Sequence, residues 1–407
     1  MKVTMVIPSY WSRESKAGWK EGDAIYDHPT PLDSEGTLSR AIESIDILRD
    51  KDFQLVIIAV ATAEDIESQV EEKIATIIKS NSATTRVLLF GSSRLKQIHE
   101  LLIGKGKKEY IDLLQLRGYS NIRNLCIFIP HILGSEVAVF IDDDEVFEDP
   151  EFISKAKESI GKDIGGKIVN AVAGYYLQPD GDYHIKKPFR PWMKYWDQYD
   201  RMNEAFDRVI GTEPRLKETP FVFGGNMVIH QNLFVVPFDP WVPRGEDIDF
   251  LINAKIFGFT FFLDNQLSIR HLPPPKTHST WMQLREDIYR FIYERAKIEH
   301  QKEIKGLVKV YSVDFDPYPG CFLKEDLEEK IEKSCKLLSK EYLAQGKKKD
   351  SEEALNNIEL AKTDAVPKAG HFQKIYNLQK RWQELIEYTG KKEIRLRMKE
   401  IIEVEGK

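Results

Sequence analysis

Apolar positions in the first third of the chain follow two alternating patterns. Short, nearly unbroken apolar runs occupy residues 3–8, 53–60, 86–90 and 137–141. They are too short for helices and rich in Val, Ile and Phe, so they predict strands buried on both faces. Between them, apolar residues recur three or four apart over 37–48 (Leu38, Ile42, Ile45, Leu48), 65–79 and 120–132. That spacing lines one helix face and predicts three α-helices. Alternating apolar strands and helices predict an α/β fold, with a mostly parallel central sheet covered on both sides. Such sheets bind ligands beyond the carboxyl ends of their strands, which points to the segments after Ile7, Val60, Phe90 and Ile141.

The pattern changes past residue 165. Runs at 167–176 and 221–229 predict further strands, separated by aromatic-rich loops. From about residue 280 the chain reads as mainly helical, with dense charge over 323–407 and a break near 346–350. The expected organisation is one large domain over 1–275, with halves at about 1–145 and 146–275, and a helical C-terminal extension over 276–407. A polar stretch at 11–34, holding Gly18, Gly22, Pro29 and Pro31, predicts a loop long enough to invite a functional role. No internal repeat is visible.

Composition narrows the classes. Of 407 residues, 42% are hydrophobic and 30% charged, which suits a packed globular protein and argues against disorder or a membrane-embedded chain. A net charge of -6 supplies no basic field, so no nucleic-acid partner is expected. The three cysteines, Cys126, Cys321 and Cys335, form no CxxC pair. A disulfide framework or cysteine zinc site is therefore not expected, and a cytoplasmic setting is the default. Residues 1–8 are apolar too briefly for a signal peptide, and no run approaches the ~20 residues of a transmembrane segment. The even mix of acids and bases in the last helices argues against an anionic-lipid anchor, leaving peripheral membrane contact as a secondary expectation.

The strongest chemical signal is the strand 137–141 running straight into Asp142, Asp143, Asp144 and Glu145. Adjacent carboxylates near a core repel each other, and a divalent cation relieves them. In an extended chain Asp142 and Asp144 would share one side about 7 Å apart, with Asp143 on the other. Hard oxygen ligands of this kind suit Mg²⁺ or Mn²⁺. A solvated acidic turn is the plain alternative. A second acidic signal is the run Arg244, Gly245, Glu246, Asp247, Ile248, Asp249, which reads as a helix start where acids meet the positive helix end. Simple capping accounts for one of these acids better than for all of them. Gly224 and Gly225 would let backbone amides approach a ligand, or would merely form a turn. The aromatic stretch 189–199, with Trp192 and Trp196, and the separate Trp241 offer faces for stacking on a ligand; ordinary core or a dimer surface is the alternative. Lys186, Lys187 and Arg190 beside them would suit an anionic ligand.

Taken in order, these segments resemble inverting, nucleotide-diphosphate-sugar-dependent glycosyltransferases of the GT-A fold, family 2-like. The matching residues are Val6, Ile7, Pro8, Ser9 and Tyr10; Ser120, Asn121, Ile122, Arg123 and Asn124; Asp142, Asp143 and Asp144; Phe223, Gly224, Gly225, Asn226 and Met227; Arg244 to Asp249; and Arg270 with His271. The resemblance covers roughly 1–275 and implies a Rossmann-like nucleotide-binding half. It implies a donor nucleotide at Pro8, Ser9, Tyr10, Arg123, Asp142 and Asp143, with Glu64 substituting for the usual acidic motif after the second strand. Donor sugar and acceptor would meet Gly224, Gly225, Asn226, Trp192, Trp196, Trp241 and Arg244. Asp142, Asp144 and His271 would hold the divalent metal. Asp247 would be the general base of an inverting transfer and Glu246 a hydrogen-bonder to the acceptor hydroxyl, with exchanged roles as the variant. The acceptor would be a carbohydrate, a polyol or another hydroxylated molecule. A retaining transferase making a small glycosylated solute is the alternative. A sugar nucleotidyltransferase would open with a Gly-x-Gly-x-Arg loop, absent from Pro8, Ser9, Tyr10 and Trp11. Two features depart from the family: the 11–34 loop, and the sequence Val60, Ala61, Thr62, Ala63, Glu64, Asp65 where an Asp-Asp-x-Ser motif is usual. The extension past 275 has no counterpart, and packing on the first domain or homo-oligomerisation would explain its apolar stripes.

Overall fold

The computed structural model describes residues 1–81, 86–274, 278–366 and 370–403. Pro275 and the expected boundary at 275/276 lie outside the described residues. Seven strands carry the fold: β1 (Val3–Ser12), β2 (Gln54–Ala61), β3 (Val87–Phe90), β4 (Val137–Ile141), β5 (Ala171–Leu177), β6 (Asn226–His230) and β7 (Phe261–His271). They form one sheet in the order β3-β2-β1-β4-β6-β5-β7, with a short strand Leu216–Glu218 on the outer edge of β7. β1, β2, β3 and β4 run parallel, as do β5 and β7; β6 runs antiparallel to both its neighbours. The expected α/β class with a mostly parallel central sheet is what the chain adopts.

Strand alternation divides the core. Val3, Met5 and Ile7 of β1 join Leu55, Ile57 and Ala59 of β2 beneath α1 (Leu38–Ser44) and α2 (Glu67–Ser80). Val6, Tyr10, Val56, Ile58 and Val60 face the other side, with α3 (Ser92–Gly104) and α4 (Tyr119–Leu133). Period-two alternation with both faces apolar is why these strands read as unbroken runs. Each fully buried Val or Ile contributes roughly 1.5–3 kcal/mol.

Several elements differ from the sequence pattern. β1 continues to Ser12, so the expected loop begins inside a strand; Trp11 also pairs with Thr30 of a two-residue strand, Thr30–Pro31. The run 221–229 is strand only from Asn226, because the amides of Gly224 and Gly225 are taken by side chains rather than by a ladder partner. Likewise 167–176 splits into Lys167–Ile168 and β5. β7 escapes period-two reading because a bulge separates Leu263 from Ser268. Residues 142–144 form a turn rather than an extended segment, so the expected alternation of Asp142 and Asp144 does not apply.

After α5 (Phe152–Ser159) and α6 (Gln198–Val209) come α7 (Glu246–Ile256), α8 (Thr280–Glu299), α9 (Leu327–Ala344), α10 (Lys348–Lys362), α11 (His371–Thr389) and α12 (Lys392–Glu403). The helical C-terminal extension is therefore present, and the break falls between Ala344 and Lys348. These helices pack back on the sheet domain. Trp382 of α11 is fully buried and donates its indole N–H to the Phe234 carbonyl at 2.8 Å. Lys297 of α8 is enclosed between Asp239 and Asp249. Among the described residues, no helix is long and apolar enough to cross a membrane.

Candidate active site

A cavity of about 720 Å³ opens at the carboxyl ends of β1, β4, β5 and β7. Its wall gathers Tyr10, Arg123, Asp142, Asp143, Asp144, Trp192, Trp196, Gly224, Arg244, Glu246, Asp247 and His271 from the residues singled out by sequence. The remaining candidates lie elsewhere. Pro8 and Ser9 are buried within β1. Gly225 lies beneath the wall: a Cβ there would run into the side chains of Glu145 and Asp142. Asn226 is fully buried and spends its side-chain N–H groups on the Tyr175 and Leu267 carbonyls, so it ties strands together and does not reach the cavity. Glu64 lies outside the wall, its side chain 86% exposed and 4.0 Å from Arg117. Trp241 also lies outside it, exposed, with Lys374 over its ring.

Arg123 organises the centre. α4 begins after Gly118, whose φ of 84° suits glycine, and one turn later it carries Arg123 inward. The guanidinium is only 3% exposed, so it needs charged partners. Its Nε donates to Glu246 Oε1 at 3.3 Å and its Nη2 to Asp142 Oδ2 at 3.1 Å. Nη2 also lies 2.9 Å from Asp142 Oδ1, without the angle of a hydrogen bond. The neighbouring Asn124 serves the fold instead. It exchanges two hydrogen bonds with the backbone of Phe238 and fixes the loop leading to α7.

The acidic turn after β4 is sorted by its neighbours. Asp143 accepts the Ser9 hydroxyl at 2.5 Å, and Ser9 in turn accepts the Trp11 indole N–H. Burial and the adjacent Asp144 push the Asp143 carboxyl up to about 8. Glu145 is wholly buried and held well above the usual carboxylate range by burial, Asp142 and Asp144. Asp144 behaves differently. Burial would raise it, but the His271 ring beside it prevails and holds the carboxyl below its usual value. His271 Nε2 is 3.4 Å from Asp144 Oδ2, and the imidazole stacks on Tyr176 at 4.7 Å.

The second acidic group lies at the start of α7. Gly245 adopts φ 70° ahead of Glu246. Asp247 accepts the Gly224 amide at 3.1 Å on one oxygen and the Ile248 amide at 2.8 Å on the other. Glu246 is pushed up to about 7 by burial and by Asp247, against the opposing pull of Arg123. Asp249 turns away and pairs with Lys297 and Asn253, so the third acid of this run is structural.

Sequence reading missed much of the rest of the wall. The 11–34 loop returns Tyr26, Asp27 and His28 to the cavity, and Tyr10, Tyr26 and Tyr119 form an aromatic trio with centroids 4.6–5.4 Å apart. From the C-terminal extension, α8 contributes Thr280, Gln283, Leu284, Asp287 and Arg290, and Tyr318 follows. Of the basic trio, Lys187 and Arg190 line the cavity, while Lys186 is paired with Asp180 and Asp182 outside it.

The wall carries seven carboxyl groups, two of them (Asp143 and Glu246) raised toward neutrality, against five Lys and Arg side chains. It therefore offers no excess of positive charge to a bound anion, which a cation would supply. Asp144 and His271 offer a carboxylate and an imidazole side by side, a donor pair that suits Mn²⁺ or Mg²⁺. Asp142 is committed to Arg123, and among the described residues no three His, Cys, Asp or Glu side chains are arranged to hold a metal. The protein thus supplies a partial set, which the oxygens of a bound ligand would have to complete.

No protein-family model matches the chain, and no curated protein matches its sequence. Several solved structures are distantly similar. One is the mannosyltransferase PcManGT from Pyrobaculum calidifontis in complex with GDP-Man and Mn²⁺, at 11% identity over 96% of this chain and 87% of that one, with a TM-score of 0.44. Another is GalNAc-T7 with UDP, GalNAc and Mn²⁺, at 11% identity over 73% of this chain and 50% of that one, TM-score 0.38. Mouse xyloside xylosyltransferase 1 in its apo form gives 10% identity over 57% and 67%, TM-score 0.28.

Proposed function

We propose that the protein is a glycosyltransferase of GT-A type that moves a sugar from a nucleoside-diphosphate donor to a hydroxyl of a carbohydrate or polyol acceptor. One observation carries the reading. Two acid-rich turns far apart in sequence, 142–144 and 246–247, meet on a single cavity at the carboxyl ends of parallel strands, joined by the buried Arg123.

In this reading the aromatic trio around Tyr10 receives the nucleobase, and Asp144 with His271 would hold a divalent cation. That cation would stabilise negative charge on the leaving diphosphate. Asp247, its oxygens oriented by the Gly224 and Ile248 amides, accepts the proton of the attacking acceptor hydroxyl. Glu246 binds the hydroxyl beside it; its raised carboxyl also makes it the alternative base. A single displacement assisted in this way inverts the anomeric centre. The test is a panel of UDP-, GDP-, ADP- and dTDP-sugars with Mn²⁺ or Mg²⁺, measured by thermal shift and by release of nucleoside diphosphate. One donor is expected to raise the melting temperature and be slowly hydrolysed. No stabilisation and no release across the panel would sink the proposal, and product NMR separates inversion from retention.

A further inference from the structure

Asp287 and Arg290 lie on α8, beyond the stretch that resembles any family, yet both line the cavity. Arg290 is 4% exposed, and its guanidinium occupies the space where a Cβ on Gly245 would lie, immediately before Glu246 and Asp247. Its Nη2 donates to the Tyr318 hydroxyl at 2.8 Å and sits 3.5 Å from Asp287 Oδ1. Asp287 is only 8% exposed, and its closest cation is Arg290 at 3.5 Å, longer than a hydrogen bond of ordinary strength. A carboxylate on the cavity wall that is only loosely paired can accept from a ligand donor arriving there. Gln283, one turn earlier on the same helix, opens onto the same space.

The charge balance selects the kind of donor. Arg290 is matched by Asp287 and by Glu294 at 3.9 Å. Arg244 is matched by Asp27 at 2.9 Å and Glu286 at 3.9 Å, and Arg190 by Glu341 at 2.6 Å. Lys187 has no acidic partner among the described residues and stays exposed to solvent. The guanidiniums at this part of the wall are therefore already paired with carboxylates, so an anionic acceptor would meet those carboxylates as well as the cations. Carboxylate, amide and guanidinium groups beside aromatic faces suit the hydroxyls and C–H surfaces of an uncharged polyol.

We infer that Asp287, Arg290 and Gln283 form the acceptor subsite, and that it takes a neutral polyhydroxy acceptor and excludes phosphorylated or carboxylated ones. The inference rests on the glycosyltransferase reading above and reverses the anionic acceptor expected from Lys186, Lys187 and Arg190.

The experiment uses the full chain, its best donor and matched acceptor pairs: glucose and glucose 6-phosphate, mannose and mannose 6-phosphate, glycerol and glycerol 3-phosphate. At least one neutral member is expected to accelerate nucleoside-diphosphate release tenfold or more over its phosphate. Asp287→Asn is expected to raise the acceptor KM at least tenfold, leave the donor KM within twofold, and cut the neutral-over-phosphate preference below threefold. Gln283→Ala should raise the same acceptor KM. A wild-type preference for the phosphate esters overturns the inference. So does an unchanged acceptor KM in both variants, or slower turnover in Asp287→Asn with the preference retained. Donor hydrolysis indifferent to every neutral acceptor overturns this inference alone. No release from any donor overturns the glycosyltransferase reading and this inference with it.

Discussion

Asp144 and Asp247 are both carboxylates on the cavity wall, and their surroundings give them different work. Asp144 is drawn to His271, whereas Asp247 is aimed by two backbone amides. Replacing Asp144 with Asn should abolish the Mn²⁺-dependent part of donor stabilisation, read as the difference in melting temperature with and without metal. Asp247→Asn should keep that difference and lose transfer by roughly 10²–10⁴-fold. Equal effects of both changes on donor binding would refute this division of roles. Asp142 and Asp144 were legible because carboxylates at the end of a buried strand demand a partner, whereas Arg123 was reached only through the family resemblance. Glu64 and Trp241, which lie off the cavity, carried no such demand. An acid or an indole in a polar stretch looks the same whether it faces a ligand or water. Asn226 resembled a ligand contact, but a strand asparagine can satisfy neighbouring carbonyls just as well.

At the scale of elements, the join between α7 and α8 leaves no room for a single added atom. Gly245 and Gly106 share φ of 70°, but a Cβ meets Arg290 at the first and nothing within 4 Å at the second. Gly106→Ala should cost about 1 kcal/mol through backbone strain alone. Gly245→Ala should cost more in urea unfolding and also slow transfer, because Arg290 must move; equal costs would show that the contact is unimportant. The strands β1 to β4 and three of the helices between them, α1, α2 and α4, were readable from period alone. α3 and α6 were overlooked although Leu95, Ile98 and Leu102, and Met202, Phe206 and Val209, repeat at helical spacing. β7 was hidden by its bulge, and the turn at Gly224 by its side-chain partners.

Across the whole molecule, buried acids without full compensation make stability depend on pH. Asp143 and Glu246 are raised to about 8 and about 7, so the native state holds protons the unfolded chain has lost. Their contribution is complete in acid and fades as pH rises through those values. His131 is lowered to about 4 by burial and by Arg395; its contribution is full above the ordinary histidine range and is lost as pH falls toward 4. Metal-free protein should therefore melt a few degrees lower at pH 8.5 than at pH 6, and Mn²⁺ should restore more at the higher pH. A melting temperature that rises from pH 6 to 8.5 would contradict this. The contribution of α8 to the cavity was the least legible feature, since helix periodicity tells which face is buried but not against what. The register of Trp11 with Thr30 carries a different lesson. It brings the two ends of a long excursion side by side on the sheet, and loop-closure entropy changes only slowly with length. Gly18, facing open space near the tip of that excursion, is a natural attachment point for a label or an added peptide.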